Sequence, residues 1–397
     1  MKLYLFTNSF PYGNSETFLF SEIRVFKRIS NIELVLVPFD IQGKKREIPK
    51  SITVDNSLAF LRIKYHERKI FPLLYSLRHI VKGIFNHDIR SLGGLQNVVG
   101  FAYHGRMVAK WASSNIEKGD ILYTYWFERV TYGLALFKQK NGVTNKLISR
   151  SHRYDLYEEL RTYGFIPYRN FTLHYLDGLY SISQHGYDYF KSKYPLFKKL
   201  YLSRLGVMHK VIDNQIQNTS KTFVSCSSVI PVKRLDLIFE SLNRYALNVG
   251  EKISWIHFGG GNQMKSLYRI IERRYFNLEI KLMGQTKNNK ILMFYEEYWV
   301  DLFINLSDSE GIPVSIMEAI SYGIPVIARD VGGINEIVNK ETGLLLKTKP
   351  SVESIVKGID LIIKSSWDRK RVLRFFQSNY LANHNFKAFY KSILPDE

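Results

Sequence analysis

Residues Leu306–Val338 read LSDSEGIPVSIMEAISYGIPVIARDVGGINEIV, with Glu310 and Glu318 eight positions apart and glycine turns at Gly311 and at Gly332-Gly333. Pro313 suits the first turn of a helix, where its missing N–H is no loss. Gly311 permits a tight bend just ahead of it. The backbone N–H groups of Val314, Ser315 and Ile316 then lack partners inside the helix and face whatever lies in front of it. That end carries partial positive charge, so a phosphate or diphosphate is its natural guest. Glu318 sits one turn further in. Helical side chains lean toward the N-terminus, so its carboxylate reaches back to the same zone. Glu310 approaches from the preceding loop. A carboxylate repels phosphate, which leaves hydroxyl groups as the partners of both glutamates. A ligand with a diphosphate between two sets of hydroxyls is a nucleotide sugar.

The remaining sequence is consistent with a large enzyme. At 397 residues, 45% of them hydrophobic, the chain is long and apolar enough for two domains with sizeable cores. No apolar run is of membrane-spanning length. The opening MKLYLFTNSFPYG has too short an apolar run for a signal peptide and reads as a strand ending in a glycine-containing loop. The single cysteine, Cys226, excludes an intrachain disulfide and fits a cytoplasmic location. There is no Cys/His cluster and no D-x-D pair, so no catalytic metal is expected.

The formal net charge of +20 is uneven: residues 1–200 hold 30 Lys and Arg against 16 Asp and Glu, the rest 26 against 20. Bases cluster at Lys44-Lys45-Arg46 and from Arg62 to Lys69, beside Phe71, Leu73, Leu74, Tyr75 and Leu77, although Pro72 interrupts any continuous helix. A surface that mixes bases with large apolar groups is drawn to anionic bilayers at about 1 kcal/mol per well-placed base. Peripheral attachment at the inner face of the cell membrane through segment 44–90 is therefore expected. Scattered solvated charge is the alternative. No helix-turn-helix, zinc-finger or RNP pattern supports nucleic acid as a partner.

Strand-like and helix-like segments alternate throughout, which predicts an α/β protein. Strands are expected near Leu3–Thr7, Glu33–Pro38, Ile121–Tyr125, Lys146–Ser149, Gly178–Ile182 and Tyr201–Leu205, with an amphipathic helix over 16–29. Polar residues Asp213–Lys221 read as a linker. The pattern then restarts, with strands at Phe223–Ser225, Trp255–Phe258, Glu279–Met283, Leu302–Asn305 and Pro325–Ala328. The expected division is 1–210, a linker at 211–221, a second domain at 222–366, and a helical tail at 367–397 packing back toward the first domain.

Gly-Ile-Pro after the first glutamate, Glu-Ala at the second, then Gly-Ile-Pro-Val-Ile-Ala, Val-Gly-Gly and Glu336 make a block that resembles the donor-binding signature of the family-4 retaining glycosyltransferases. The likeness is strong over 220–345 and looser over 1–210. It implies the GT-B fold, two doubly wound Rossmann-like domains facing across a cleft. It also implies roles. Glu318 holds the ribose hydroxyls and Glu310 the sugar hydroxyls, while the backbone of Gly311, Ile312, Val314 and Ser315 holds sugar and phosphate oxygens.

Five further segments are similar to the same family. FVSCSSVIPVKRLDLIFESL (223–242) brings Lys233 to the diphosphate, whose charge a metal-free enzyme must offset with bases and helix N-termini. Here the chain departs from the pattern, with Ser228 where the family carries an arginine. Arg234 is a partial substitute at most. Gly260, in the glycine run after WIHF, and Gly284, in Met283-Gly284-Gln285, fall at turns near the nucleotide. FPYGNSETF (10–18) puts Gly13 in the loop after the first strand and resembles members acting in exopolysaccharide and lipid-linked oligosaccharide assembly; Asn14, Ser15 and Glu16 equally suit a helix N-cap. SRSHRYDLYEE (149–159) places His152 near the transferred sugar. Tyr125, Trp126 and Glu128 are candidates for the acceptor side or for plain core packing.

The expected activity is thus a metal-independent hexosyltransferase. It moves a sugar from a nucleotide diphosphate donor, UDP-type favoured, to a saccharide or lipid-linked acceptor in cell-surface polysaccharide synthesis, with retention and without a bound cofactor. A same-fold sugar phosphorylase or sugar-phosphate-using enzyme and a basic nucleic-acid-binding protein are the rival readings.

Overall fold

The computed structural model describes residues 1–13, 16–29, 32–67, 94–210, 215–275, 277–365 and 367–395. The chain forms two compact units, Met1–Ser203 with Phe389–Glu397, and Arg204–Ala388.

The first unit runs β1 (Lys2–Thr7), α1 (Leu19–Ile29), β2 (Glu33–Pro38), β3 (Thr53–Val54), α2 (Ser57–Glu67), α3 (Leu95–Asn115), β4 (Ile121–Thr124), α4 (Arg129–Asn141), β5 (Leu147–Ser151), α5 (Arg153–Leu156), α6 (Arg169–Tyr175), β6 (Gly178–Ser181), α7 (Gln184–Lys193) and β7 (Leu200–Leu202). Its sheet has the order β3-β2-β1-β4-β5-β6-β7, all parallel. In register, Leu5 of β1 faces Leu36 on one side and Tyr123 on the other. Helices cover both faces, so the central strands are almost continuously apolar and buried, as in LYLF and LVLV.

The second unit runs β8 (Lys221–Cys226), α8 (Leu235–Val249), β9 (Ile253–Phe258), α9 (Met264–Ile271), β10 (Leu278–Leu282), α10 (Asn288–Glu297), β11 (Leu302–Asn305), α11 (Val314–Ile320), β12 (Val326–Arg329), β13 (Gly343–Leu346), α12 (Val352–Lys364), α13 (Arg369–Asn379) and α14 (Ala382–Ile393). Its parallel sheet has the order β10-β9-β8-β11-β12-β13. The core of α8 is the stripe Leu235, Ile238, Leu242 and Ala246, and Gly250 ends the helix with φ 69°. Both units are therefore the doubly wound domains that the alternation predicts.

The division falls at Ser203–Arg204, ahead of the expected 211–221 linker. Val207 pairs with Leu381, exchanges backbone hydrogen bonds with Tyr380 and Ala382, and so ties residues 204–210 to the second unit. Gly206 is needed there, because a Cβ would lie 2.7 Å from Ala382. Within the linker region Ile216 bridges to Tyr298; residues 211–214 lie outside the described set. The tail splits. Residues through Ala388 stay with the second unit, whereas Phe389 and Tyr390 pack on Tyr123 and Phe26 of the first.

Candidate functional site

In an open parallel sheet, ligands meet the chain outside the carboxyl ends of the strands, at the point where the strand order reverses. In the second unit that point lies between β8 and β11. The loop after β8 closes in a short turn, Pro231–Lys233, and the left-handed Arg234 (φ 50°) leads into α8. The loop after β11 carries Glu310. Lys233 Nζ lies 2.5 Å from Glu310 Oε1, so the pair spans the two loops at the reversal. Both side chains are largely shielded, 21% and 9% exposed, and each supplies the other's counter-charge. Arg234 points elsewhere, to Asp236 and Asp308 at 3.1 and 3.5 Å. The buried Arg329, which the sequence reading overlooked, anchors Asp308 at 2.5 Å and donates to the Leu306 and Thr348 carbonyls.

Two details of the expected loop are corrected. Pro313 precedes α11 as its cap residue instead of occupying the first turn, and its carbonyl accepts the amides of Ile316 and Met317 at 3.1 and 3.3 Å. Ile316 therefore leaves the set of free amides. Those of Gly311, Ile312, Val314 and Ser315 have no acceptor among the described residues. The chain bends at Gly311 and turns at Gly332-Gly333, as expected; Gly332 is left-handed (φ 57°), and a Cβ on it would lie 2.0 Å from the Glu310 carbonyl. Gly333 donates to the Gly311 carbonyl at 3.0 Å, which seats the Val-Gly-Gly loop against the first glutamate.

Glu318 is buried on α11. Burial pushes its carboxyl up to about 7, opposed by the Asn288 side-chain amide, which donates to Oε1 at 2.7 Å. Asn288 opens α10 and was not among the expected site residues, since a lone asparagine at a helix start reads as a cap. Cys226, at the end of β8, feels the charges of both Glu318 and Lys233, and burial pushes its thiol up to about 12. The second glutamate and the Lys233 loop thus share one neighbourhood.

Three loops at the carboxyl ends of β8, β9 and β10 are tied together by their backbones. Val229 donates to the Gly260 carbonyl and Gly259 to the Gly284 carbonyl, both at 2.9 Å. A Cβ on Gly259 would lie 1.8 Å from the Ser227 carbonyl, and one on Gly261 2.3 Å from that of Val229. These glycines permit close packing. Ser228 is exposed on the first of the three loops.

In the first unit the strand order reverses between β1 and β4, and here too one side chain links the two loops. Glu16, buried and left-handed (φ 55°), accepts the amides of Asn8, Ser9 and Phe10 at 2.9, 2.8 and 2.7 Å and the Trp126 indole N–H at 2.6 Å. Its side chain therefore organises the loop after β1 and does not cap α1, which starts at Leu19. Asn14 and Ser15 lie outside the described residues. Gly13 (φ 63°) spends its amide on the Lys44 carbonyl at 3.1 Å. Arg46 braces the same loop, donating to the Pro11 and Tyr12 carbonyls and lying over the Phe10 ring. It is thereby withdrawn from the basic surface, and Lys44 and Lys45 remain exposed.

His152 is buried at the start of α5, among Tyr125, Trp126 and Phe18. Its Nε2 donates to the Tyr125 carbonyl at 3.1 Å, since a carbonyl only accepts. Burial, then the Arg150 charge, lowers its pKa to about 3, so the ring is neutral. The Asp155 carboxylate accepts the His152 and Phe127 amides at 2.5 and 2.6 Å and is pushed up to about 7 by burial. Glu128 pairs with Arg161. Gly13 and His152 thus belong to the first unit, and the other expected site residues to the second.

Residues 210–375 match the family described as Glycosyl transferases group 1. Over 137 residues the chain is 31% identical to the O-antigen biosynthesis glycosyltransferase WbnH of Escherichia coli. That match spans 34% of this chain and 37% of the relative, so the chain covers well under half of the relative's length. Two solved structures are similar over nearly all of both chains. The lipopolysaccharide outer core galactosyltransferase WaaB has TM-score 0.66 at 16% identity, covering 99% of this chain and 100% of WaaB. Anabaena HepE, solved with UDP and glucose, has TM-score 0.68 at 13% identity, covering 99% of each. The two parallel-sheet units and these likenesses show the GT-B fold, and residues 210–375 within it match the glycosyl transferases group 1 family.

Proposed function

We propose that this chain is a retaining, metal-independent glycosyltransferase that takes a sugar from a uridine diphosphate sugar and delivers it to a saccharide or lipid-linked acceptor hydroxyl in cell-surface polysaccharide synthesis. The observation that carries the reading is the Lys233–Glu310 pair at the strand-order reversal, beside four amides without acceptors among the described residues. On this reading a donor diphosphate takes Lys233 from Glu310, and Glu310 turns to the sugar hydroxyls. The amides of Gly311, Ile312, Val314 and Ser315 hold sugar and phosphate oxygens. Glu318 accepts the ribose hydroxyls. The bond from the anomeric carbon to the diphosphate oxygen breaks, the acceptor oxygen bonds from the same face, and its proton passes to the departing diphosphate. His152, being neutral, acts as a positioning group for the sugar. The complexes of HepE with UDP and with UDP-glucose support uracil as the base.

A thermal-shift series tests this. UDP at 100 times its dissociation constant should stabilise the protein by about 2.7 kcal/mol, with GDP and ADP giving less. EDTA should leave both the shift and the turnover unchanged. A stabilisation that needs a divalent metal, or none by any nucleoside diphosphate, contradicts the proposal.

Peripheral association with an anionic membrane belongs to the same proposal, because a lipid-linked acceptor lies at a bilayer. Residues 68–90 of the basic segment lie outside the described residues; of the rest, α2 exposes Phe60 and Ile63. No described helix is long and apolar enough to cross a membrane. Co-sedimentation with anionic liposomes should be strong at low salt and fade as screening shortens to a Debye length of about 8 Å. Equal binding to neutral lipid, or none at low salt, favours a soluble acceptor.

A further inference from the structure

We infer that Asn288 is a positioning residue for Glu318: it ties one carboxylate oxygen and so aims the other oxygen at the nucleotide. The inference rests on the donor-site reading above. Its geometry is specific. Asn288 donates to Oε1 at 2.7 Å from the start of α10, while Oε2 has no partner among the described residues. A buried carboxylate with one oxygen held and one unclaimed is arranged for a donor that arrives with the ligand. Among the described residues, the ionisable groups that couple to Glu318 are Cys226 at the end of β8, Tyr295 on α10 and Tyr322 after α11. Burial raises all three, so they stay neutral at ordinary pH and provide no counter-charge. The Tyr295 hydroxyl is itself buried with no partner among the described residues. The nearby lysine, Lys233, is engaged by Glu310. The Asn288 amide is therefore the group that favours the charged carboxylate against burial.

The expected behaviour is a pH-dependent grip on the nucleotide. A carboxylate accepts two hydroxyl donors, whereas the protonated acid accepts fewer and offers a proton. Affinity should fall as pH drops through about 7, and binding near that pH should release a proton. Removing the amide leaves burial unopposed and moves the fall to higher pH. Asn288→Asp keeps the shape, removes the donor and adds a like charge, so it separates packing from hydrogen bonding.

Calorimetric titration of the full chain with UDP from pH 5.5 to 9, in buffers of different ionisation enthalpy, decides the matter. The diphosphate's own protonation, near about pH 6, is common to all variants and is removed by comparison with Glu318→Gln. Asn288→Ala and Asn288→Asp should each bind UDP about tenfold more weakly at pH 7, with Asn288→Ala regaining most of the loss by pH 9. The proton release should shift upward in both and vanish in Glu318→Gln. Wild-type binding with unchanged pH profiles in both Asn288 variants overturns this inference alone. No wild-type binding at any pH overturns the donor-site reading and the inference with it.

Discussion

Lys233→Ala is expected to lower kcat by about a hundredfold, the scale of losing one preorganised charge at a developing anion. The pairing with Glu310 makes the loss larger than that of a surface lysine. With the ammonium gone, Glu310 keeps a nearly buried carboxylate with no compensating charge, and the incoming diphosphate meets that negative charge directly. Lys233→Met keeps the aliphatic stem and its packing but not the charge. It should show the same fall in kcat with little change in melting temperature. Glu310→Gln should restore part of the UDP binding lost in Lys233→Ala, because it removes the repulsion. It should itself depress kcat more than it raises donor KM, because it alters contacts to the sugar in the transition state. A double-mutant cycle on UDP affinity, with a coupling well beyond the scatter of about 0.5 kcal/mol seen for independent sites, is the check. Additive losses, or a Lys233→Met enzyme with wild-type turnover, remove this pair from the active site.

Glu318→Ala should weaken donor binding by about 1.5–3 kcal/mol, from tenfold to beyond a hundredfold, the range for a hydrogen bond to a charged group. It should do so without harming the fold, and the pH dependence of stability shows why. The carboxyl of Glu318 is raised in the folded chain from 4.5 to about 7, so between those values the folded state binds more protons than the unfolded. Its contribution to stability is therefore lost as pH rises from about 4.5 to about 7. Above pH 7 the ionised group is a net burden that is carried for binding. Glu318→Gln cannot ionise and should melt higher than wild type at pH 8, with a smaller gain at pH 5. Melting curves at the two pH values, together with donor KM for Glu318→Ala, test both halves. A variant that binds donor normally, or one destabilised most at pH 8, contradicts the assignment.

The local pattern was legible wherever one strand or one helix decided it. Glu33–Pro38 and Leu302–Asn305 appear with the bounds their apolar runs suggest, because a strand covered on both faces needs little else. The two-residue β3 and the glycine-led β13 were not foreseen, since Thr53-Val54 is too short to show a period and Gly343 opens its strand with φ 158°. The expected helix start at Glu16 moved to Leu19 because Glu16 is engaged with the loop after β1 and with Trp126, far along the chain.

By itself the sequence determined the strand–helix alternation and its restart in the second half, the placing of Lys233 and Glu310 in loops after strands and of Glu318 on the following helix, and the need for glycine at the flanking turns. These follow from periodicity and backbone sterics, which act over a few residues. The tertiary structure alone decided the partners: Lys233 with Glu310, Asn288 with Glu318, Glu16 with Trp126, Arg46 with its own loop, and His152 as a neutral buried ring. Each pairing depends on which strands become neighbours in the sheet and on how far burial removes a charge from water. Both are properties of the assembled layers, with no signature in the spacing of residues along the chain.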